Sequence, residues 1–223
     1  ELTALNYYTN EEITIPLDPT QTPGENAQRY FAKYNKQKRT FEALTELIQE
    51  TADDIQYLES ISNALDIALS EADLAQIKEE LMQSGYIRRK HTKKKVKLTS
   101  KPMHYISSDG YDMYVGKNNL QNEELTFSFA NGNDWWFHAK GAPGSHVIVK
   151  SGGDELPDCT FEEAGRLAAY YSKNRGADKV EIDYIQKKHV KKPNGAKPGF
   201  VVYYTNYSLV IDSDISNIKN VQD

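Results

Sequence analysis

The chain has 223 residues, 26% of them charged, a formal net charge of −5 and a single cysteine, Cys159. That length holds one ordinary globular domain plus an appendage; no run approaches the roughly 18 apolar residues of a membrane span, no basic-then-apolar start resembles a signal peptide, and a lone cysteine excludes an internal disulfide or multi-cysteine zinc site and fits a reducing, cytoplasmic setting. The acidic total does not exclude a polyanionic partner, because residues 1–86 hold 6 Lys/Arg against 16 Asp/Glu while residues 87–101 hold 8 Lys/Arg and no acid, and exposed charge acts locally, over about 8–10 Å at physiological salt.

In chain order, Asn6 to Pro16 reads as a hairpin, with Tyr7-Tyr8 against Ile13-Thr14-Ile15 about a Thr9-Asn10-Glu11 turn. Thr22-Pro23-Gly24-Glu25 is a capping box, with Thr22 at the N-cap, Glu25 at N3 and Pro23 at N1, where its missing N–H costs nothing. From Phe41, positions stepping by three and four run through Leu44, Ile48, Thr51, Ile55, Leu58, Ser62, Leu65 and Leu69, seven of the nine apolar, the 3.5 period of a coiled-coil seam. A helix over Ala27 to Leu69 spans roughly 65 Å at 1.5 Å per residue and needs a partner. Ser70 and Asp73 cap a second helix, striped by Leu74, Ile77 and Leu81 and closed by Gly85. At roughly 20 Å this return helix cannot cover the seam, so the partner strand is expected upstream in cis or in trans.

Residues 1–86 therefore form one region, 87–101 a basic linker and 102–223 a second domain. In the latter, Met103 to Ser107 and Tyr111 to Val115 read as strands about Asp109-Gly110, and Leu125 to Ala130 alternates into an Asn131-Gly132-Asn133 turn. Gly116 to Asn119 lacks phosphate-loop spacing and reads as a turn. Thr160-Phe161-Glu162-Glu163 reads as another capping box, opening a helix whose Ala164, Leu167, Ala168 and Tyr171 share a face. Lys179 to Gln186 alternates, and Phe200 to Tyr204 with Tyr207 to Ile211 is expected as a final strand pair. The order implies α+β: a long coiled-coil helix with a short return helix, then a largely antiparallel sheet with one main helix.

The densest chemistry lies in NDWWFHAKGAPGSHVIVK, Asn133 to Lys150. A period of two puts Asp134, Trp136, His138 and Lys140 on one strand face and Trp135, Phe137 and Ala139 on the other. After the Gly141 to Gly144 turn, the returning run brings His146 beside His138, with Ser145 on the opposite face. Three readings stand side by side. Asp134 and the histidines brace a strand pair; Trp136 and His138 offer stacking faces to unpaired bases; or His138, His146, Asp134 and Ser145 form a metal or hydrolytic site, although no specific catalytic spacing is present. Lys187, Lys188, Lys191, Lys192 and Lys197 flank Pro193-Asn194-Gly195 with no acid among them, a turn suited to tracking phosphates. Arg88, Arg89, Lys93, Lys94 and Lys95 make a second basic candidate.

The Asn133 to Lys150 stretch resembles the D-x-W-[FL]-H…P-G-S-H signature of the NFACT-R domain, carried here by Asp134, Trp136, His138, Gly144, Ser145 and His146. That domain belongs to NEMF-like ribosome quality-control factors and their bacterial RqcH relatives, formerly labelled fibronectin-binding proteins. SSDGYDMYVGKNN (Ser107 to Asn119) and KKPNGAKPG (Lys191 to Gly199) are similar to further NFACT-R segments, and TPGENAQRYFAKYNK (Thr22 to Lys36) to the preceding coiled coil. Trp135 departs from the pattern, which has an aliphatic residue there. With nothing like the family's N-terminal domains and a start at Glu1, the chain reads as a C-terminal fragment. The resemblance implies a non-catalytic factor that binds obstructed large ribosomal subunits and recruits alanyl-tRNA for C-terminal alanine tailing, with no cofactor, metal or membrane. The family's tRNA-selecting residues lie in the absent N-terminal part and do not carry over. Two other classes remain: an extracellular-matrix adhesin, after the older label, and a metal-dependent hydrolase or nuclease centred on His138 and His146.

Overall fold

The computed structural model describes residues 1–88 and 100–221. The chain divides into two compact units, Glu1–Asp54 and Ile55–Asp223. The first unit opens with a hairpin of β1 (Leu2–Asn6) and β2 (Glu11–Ile15), in which Ala4 faces Ile13. Tyr7 and Tyr8 thus lie in the turn and not in a strand. Asn10 takes a left-handed φ of 57°, and its N–H donates to the Asn6 carbonyl at 2.7 Å, closing a four-residue loop with a residue that tolerates that backbone.

Helix α1 (Pro23–Ile67) starts where the capping box places it. The Glu25 carboxylate accepts from the Thr22 N–H at 2.7 Å, and the Glu25 N–H donates back to the Thr22 hydroxyl at 3.3 Å. Along the expected seam the side chains are open: Phe41 is 72% and Ile48 68% exposed.

In the second unit, α1 buries Tyr57, Ile61 and Ala64 against Ile77 of α2 (Glu71–Gln83), while Ile55, Leu58, Leu65 and Leu69 stay exposed. The packed stripe is therefore not the 3.5-residue seam but a neighbouring one. α2 has the Ser70–Asp73 capping box. Its inward face is Asp73, Ile77 and Glu80, and Leu74 is exposed. Burial of the two acids follows from their partners: the Asp73 carboxylate accepts from the Leu69 and Ser70 N–H groups and pairs with the Lys117 ammonium, and Glu80 accepts from the Tyr57 hydroxyl and the Asn119 amide.

A seven-stranded sheet follows, built from β3 (Met103–Ile106), β4 (Asp112–Val115), β5 (Trp135–Ala139), β6 (Val147–Val149), β7 (Val180–Gln186), β8 (Tyr207–Ile211) and β9 (Lys219–Asn220). Its order is β8-β7-β5-β6-β4-β3-β9, and every pairing is antiparallel. Helix α4 (Asp158–Tyr170) lies on one face, where Ala164, Leu167 and Ala168 join Phe137, Ala139, Val147 and Ile182. On the other face α3 (Asn119–Glu124) runs into a single π-helical turn, Leu125–Phe129, whose Leu125 packs with Trp136, Ile148 and Ile185. The sheet is covered on both sides.

Three local expectations change. Leu125 to Phe129 is helical, continuing α3, which Asn118 caps with its side chain accepting the Gln121 N–H at 3.0 Å, and only Ala130 is extended. Thr160 and Glu163 do not cap α4, which begins at Asp158 behind Pro157; the Thr160 hydroxyl reaches Ser107 and Asp109, and the Glu163 carboxylate takes the Ser108 N–H at 2.8 Å. Both residues fasten α4 to the β3–β4 turn. Phe200 to Tyr204 forms only a bridge between Val202 and Lys191, and β8 pairs with β7 instead. Among the described residues no helix is long and apolar enough to cross a membrane.

Candidate nucleic-acid interface

The β5–β6 register, Phe137 opposite Val147, brings His138, still within β5, beside His146, the residue before β6. Their rings meet edge to face with centroids 5.4 Å apart. His146 is anchored: Nδ1 lies 2.8 Å from the Thr126 hydroxyl and 3.2 Å from the Asn122 carbonyl, and its backbone N–H donates to the Asn122 side chain at 3.0 Å. Burial pushes the His138 imidazole down to about 4, against the upward pull of the Gly144 backbone and Asp183. Burial, then the neighbouring His138, also holds His146 well below its ordinary value. Both rings are neutral at pH 7.

A cavity of about 190 Å³ opens beside the two rings. The Gly141 to Gly144 turn, Asn119, Asn122, Gln56 and Ser60 line it, and so does the run Gly199 to Tyr203 apart from Val202. Tyr203 is held in place by its hydroxyl, which donates to the Asp183 carboxylate at 2.9 Å; the Ser208 hydroxyl donates to the same carboxylate at 2.6 Å.

The other signature residues go elsewhere. Trp136 is 0% exposed, its ring packed against His146 and Tyr203. It offers no stacking face; of the two residues read that way, only His138 reaches the cavity. The expected open face was lost because the π-helical turn and the Val201 to Tyr203 segment cover it. Asp134 accepts from the Asn131 N–H at 2.7 Å and the Lys150 ammonium at 2.6 Å, bracing the start of β5. Ser145 is buried, with its N–H donated to the Tyr171 carbonyl at 2.9 Å. Gly144 pairs with Ser172, and a Cβ there would meet the Ser172 Cβ at 3.1 Å. The hydrolytic set of Asp134, Ser145, His138 and His146 is thus spread over different partners, and among the described residues no group of three His, Cys, Asp or Glu side chains is placed to hold a metal.

The basic loop is less uniform than its sequence. Lys192 pairs with both Glu123 carboxylate oxygens at 2.8 Å, Lys187 lies 5.8 Å from the Phe127 ring centroid, and Lys197 sits 4.5 Å from that of Tyr57 while donating to the Tyr86 hydroxyl. Lys188 and Lys191 are exposed and make no ion pair among the described residues. Arg88 is exposed; Arg89, Lys93, Lys94 and Lys95 lie outside the described residues. Sequence reasoning missed Asn119, Asn122, Phe200 and Tyr203. For the asparagines a signal existed, the Asn118-to-Gln121 spacing of an N-cap; for the wall of Phe200 and Tyr203 none did.

Residues 101–205 match the family described as NFACT protein RNA binding domain, and residues 1–100 that described as NFACT N-terminal and middle domains. The chain belongs to the NFACT family. A solved structure, the C-terminal part of the fibronectin/fibrinogen-binding protein from Streptococcus suis, matches this NFACT chain with a TM-score of 0.80 at 43% identity, over 90% of this chain and 81% of that one. Relatives named Rqc2 homolog RqcH are 46% identical over 97% of the chain in Streptococcus pneumoniae strain D39 and 42% identical over 96% in Bacillus subtilis strain 168. The chain spans 39% and 38% of the length of these two relatives. Within this NFACT chain the signature residues fall into two groups, with Asp134, Trp136 and Ser145 building the scaffold while His138, Gly144 and His146 line the cavity.

Proposed function

We propose that this chain is the RNA-binding part of a cytoplasmic ribosome-associated quality-control factor, one that binds obstructed large ribosomal subunits and recruits alanyl-tRNA for C-terminal alanine tailing. Residues 1–86 serve as the distal coiled-coil region, 87–101 as a basic linker and 102–223 as the RNA-contacting domain. The match of residues 101–205 to an RNA-binding family carries this reading. The factor acts by positioning, with peptide transfer left to ribosomal RNA. Lys188 and Lys191 supply the phosphate contacts from the basic loop, with Lys187, Lys192 and Lys197 held more closely to the protein; Arg88, Arg89, Lys93, Lys94 and Lys95 extend the cationic surface.

Replacing Lys188 and Lys191 with Ala should lower the salt slope of RNA binding by about 0.7–0.9 for each phosphate no longer neutralised, while stability stays within about 0.5 kcal/mol. In the full-length protein the same pair of changes should reduce tRNA recovered with large subunits and shorten alanine tails. Unchanged RNA affinity at every salt concentration together with normal tailing defeats the assignment. The name of the Streptococcus suis structure favours a second reading, extracellular-matrix binding. Saturable capture of the chain on immobilised fibronectin, with no RNA affinity, would replace the first reading by the second.

A further inference from the structure

We propose that the cavity beside His138 and His146 takes one unpaired nucleobase that presents an exocyclic amine, drawn in from a strand whose phosphates lie along the basic loop. This rests on the RNA-binding reading above and specifies what part of an RNA the domain holds.

Size comes first. About 190 Å³ is several times the roughly 30 Å³ share of one water and below the roughly 300–1,000 Å³ of sites for drug-sized ligands. One planar ring system is the group of that scale on an RNA. Charge comes second: among the described residues no Lys, Arg, Asp or Glu lines the cavity, and both of its imidazoles are neutral at pH 7. A phosphate or an ammonium group would leave water there without a counter-charge, whereas a neutral base loses far less.

Hydrogen-bond polarity then selects among neutral groups. His146 Nδ1 faces the Asn122 carbonyl, which can only accept, and the Thr126 hydroxyl, which can accept as well as donate; a ring proton on Nδ1 serves both, and Nε2 then carries the lone pair. No described residue donates to that Nε2. His138, its ring edge to face with that of His146, is neutral as well, so one of its two ring nitrogens is an acceptor. Two neutral rings, each with one acceptor nitrogen, suit a ligand group with two donors on one atom, which the amino group of adenine, cytosine or guanine supplies; uracil offers only its single N3–H. Phe200 and Tyr203 add aromatic walls, the latter fixed by Asp183, and ring stacking is how proteins commonly hold splayed-out bases.

The loop and the cavity are physically joined. Lys191 and Val202 exchange two backbone hydrogen bonds of 2.9 Å, and Val201 and Tyr203, on either side of Val202, line the cavity. In such a bridge Lys191 shares the outer face with Val202 while its neighbours turn inward. A backbone held by Lys191 therefore lies next to the opening that its base would enter.

The test uses the 223-residue chain and five fluorescent uridine pentamers whose central position is adenosine, cytidine, purine riboside, uridine or an abasic site, titrated by anisotropy. Adenosine and cytidine should bind roughly tenfold tighter than the abasic probe, the scale of one stacked base. Purine riboside, adenosine without its amine, should lose most of that gain, since acceptors built for a donor reject the analogue that lacks it. Ala142→Phe, which adds a bulky ring to the turn that lines the cavity, should erase the preference. The wild-type series decides the matter even if that variant folds poorly. Equal affinity for all five probes, or a preference that survives in a folded Ala142→Phe, overturns the base pocket and leaves RNA binding standing. Failure of every probe to bind at any salt overturns both.

Discussion

Trp136→Ala tests the enclosure of the signature tryptophan. The ring is 0% exposed and packs among Leu125, Ala130, Ile148, Ile185 and Val190, with the His146 and Tyr203 rings about 5 Å away centroid to centroid. Truncating a fully buried Trp costs about 3–5 kcal/mol, the transfer loss plus the cavity left behind. The indole offers an internal contrast, because its buried Nε1–H makes no hydrogen bond among the described residues. An unpaired buried donor carries a penalty of about 1–3 kcal/mol. Trp136→Phe removes that donor together with part of the ring, so the two effects offset and the net change should stay within about 1 kcal/mol. Urea unfolding followed by far-UV circular dichroism measures both. With m of about 1–3 kcal/mol/M, Trp136→Ala should move the midpoint down by at least about 1 M while Trp136→Phe barely moves it. A Trp136→Ala loss under about 1 kcal/mol would mean the ring is a surface feature, and a Trp136→Phe loss as large as that of Trp136→Ala would mean that the indole N–H has a partner after all.

The histidine pair predicts a pH window for stability. His138 falls from 6.5 to about 4 on folding, and His146 is lowered as well. Below pH 6.5 the unfolded chain therefore binds protons that the folded one refuses. Stability should be level above that pH and fall by about 1.4 kcal/mol per pH unit for His138 between roughly 6.5 and 4, where that contribution levels off, with His146 adding a fall of the same sign. Urea midpoints at pH 7.5, 6 and 5 read this directly, and a flat profile rejects the buried neutral pair. The open stripe of α1 predicts association: sedimentation of the chain should show concentration-dependent self-association that Phe41→Glu with Ile48→Glu abolishes. A monomer at all concentrations with strong amide protection over residues 43–69 would contradict it.

Short-range signals in the sequence determined the helix starts at Pro23 and Glu71 and the turn at Gly110, because a cap or a left-handed glycine acts within three or four residues of itself. Alternation likewise located β5 and β7, and the Gly141 to Gly144 turn brought His138 to His146. The same local pattern at Thr160 and Glu163 misled, since the β3–β4 turn, some fifty residues away in sequence, competes for those side chains. Which side of β5 meets water is not a local property either: alternation separates two faces, but only α4 on one and the π-helical turn with Val201 to Tyr203 on the other make both of them core. The cavity arises in the same way, from side chains at positions 56 to 203 that no spacing rule relates. So it is with Lys197, which the sequence presents as one more cation on a turn and which packing places over the rings of Tyr57 and Tyr86. Caps and periodicity act through the hydrogen bonds and solvation of neighbouring residues, whereas burial depends on which distant surface arrives to exclude the water.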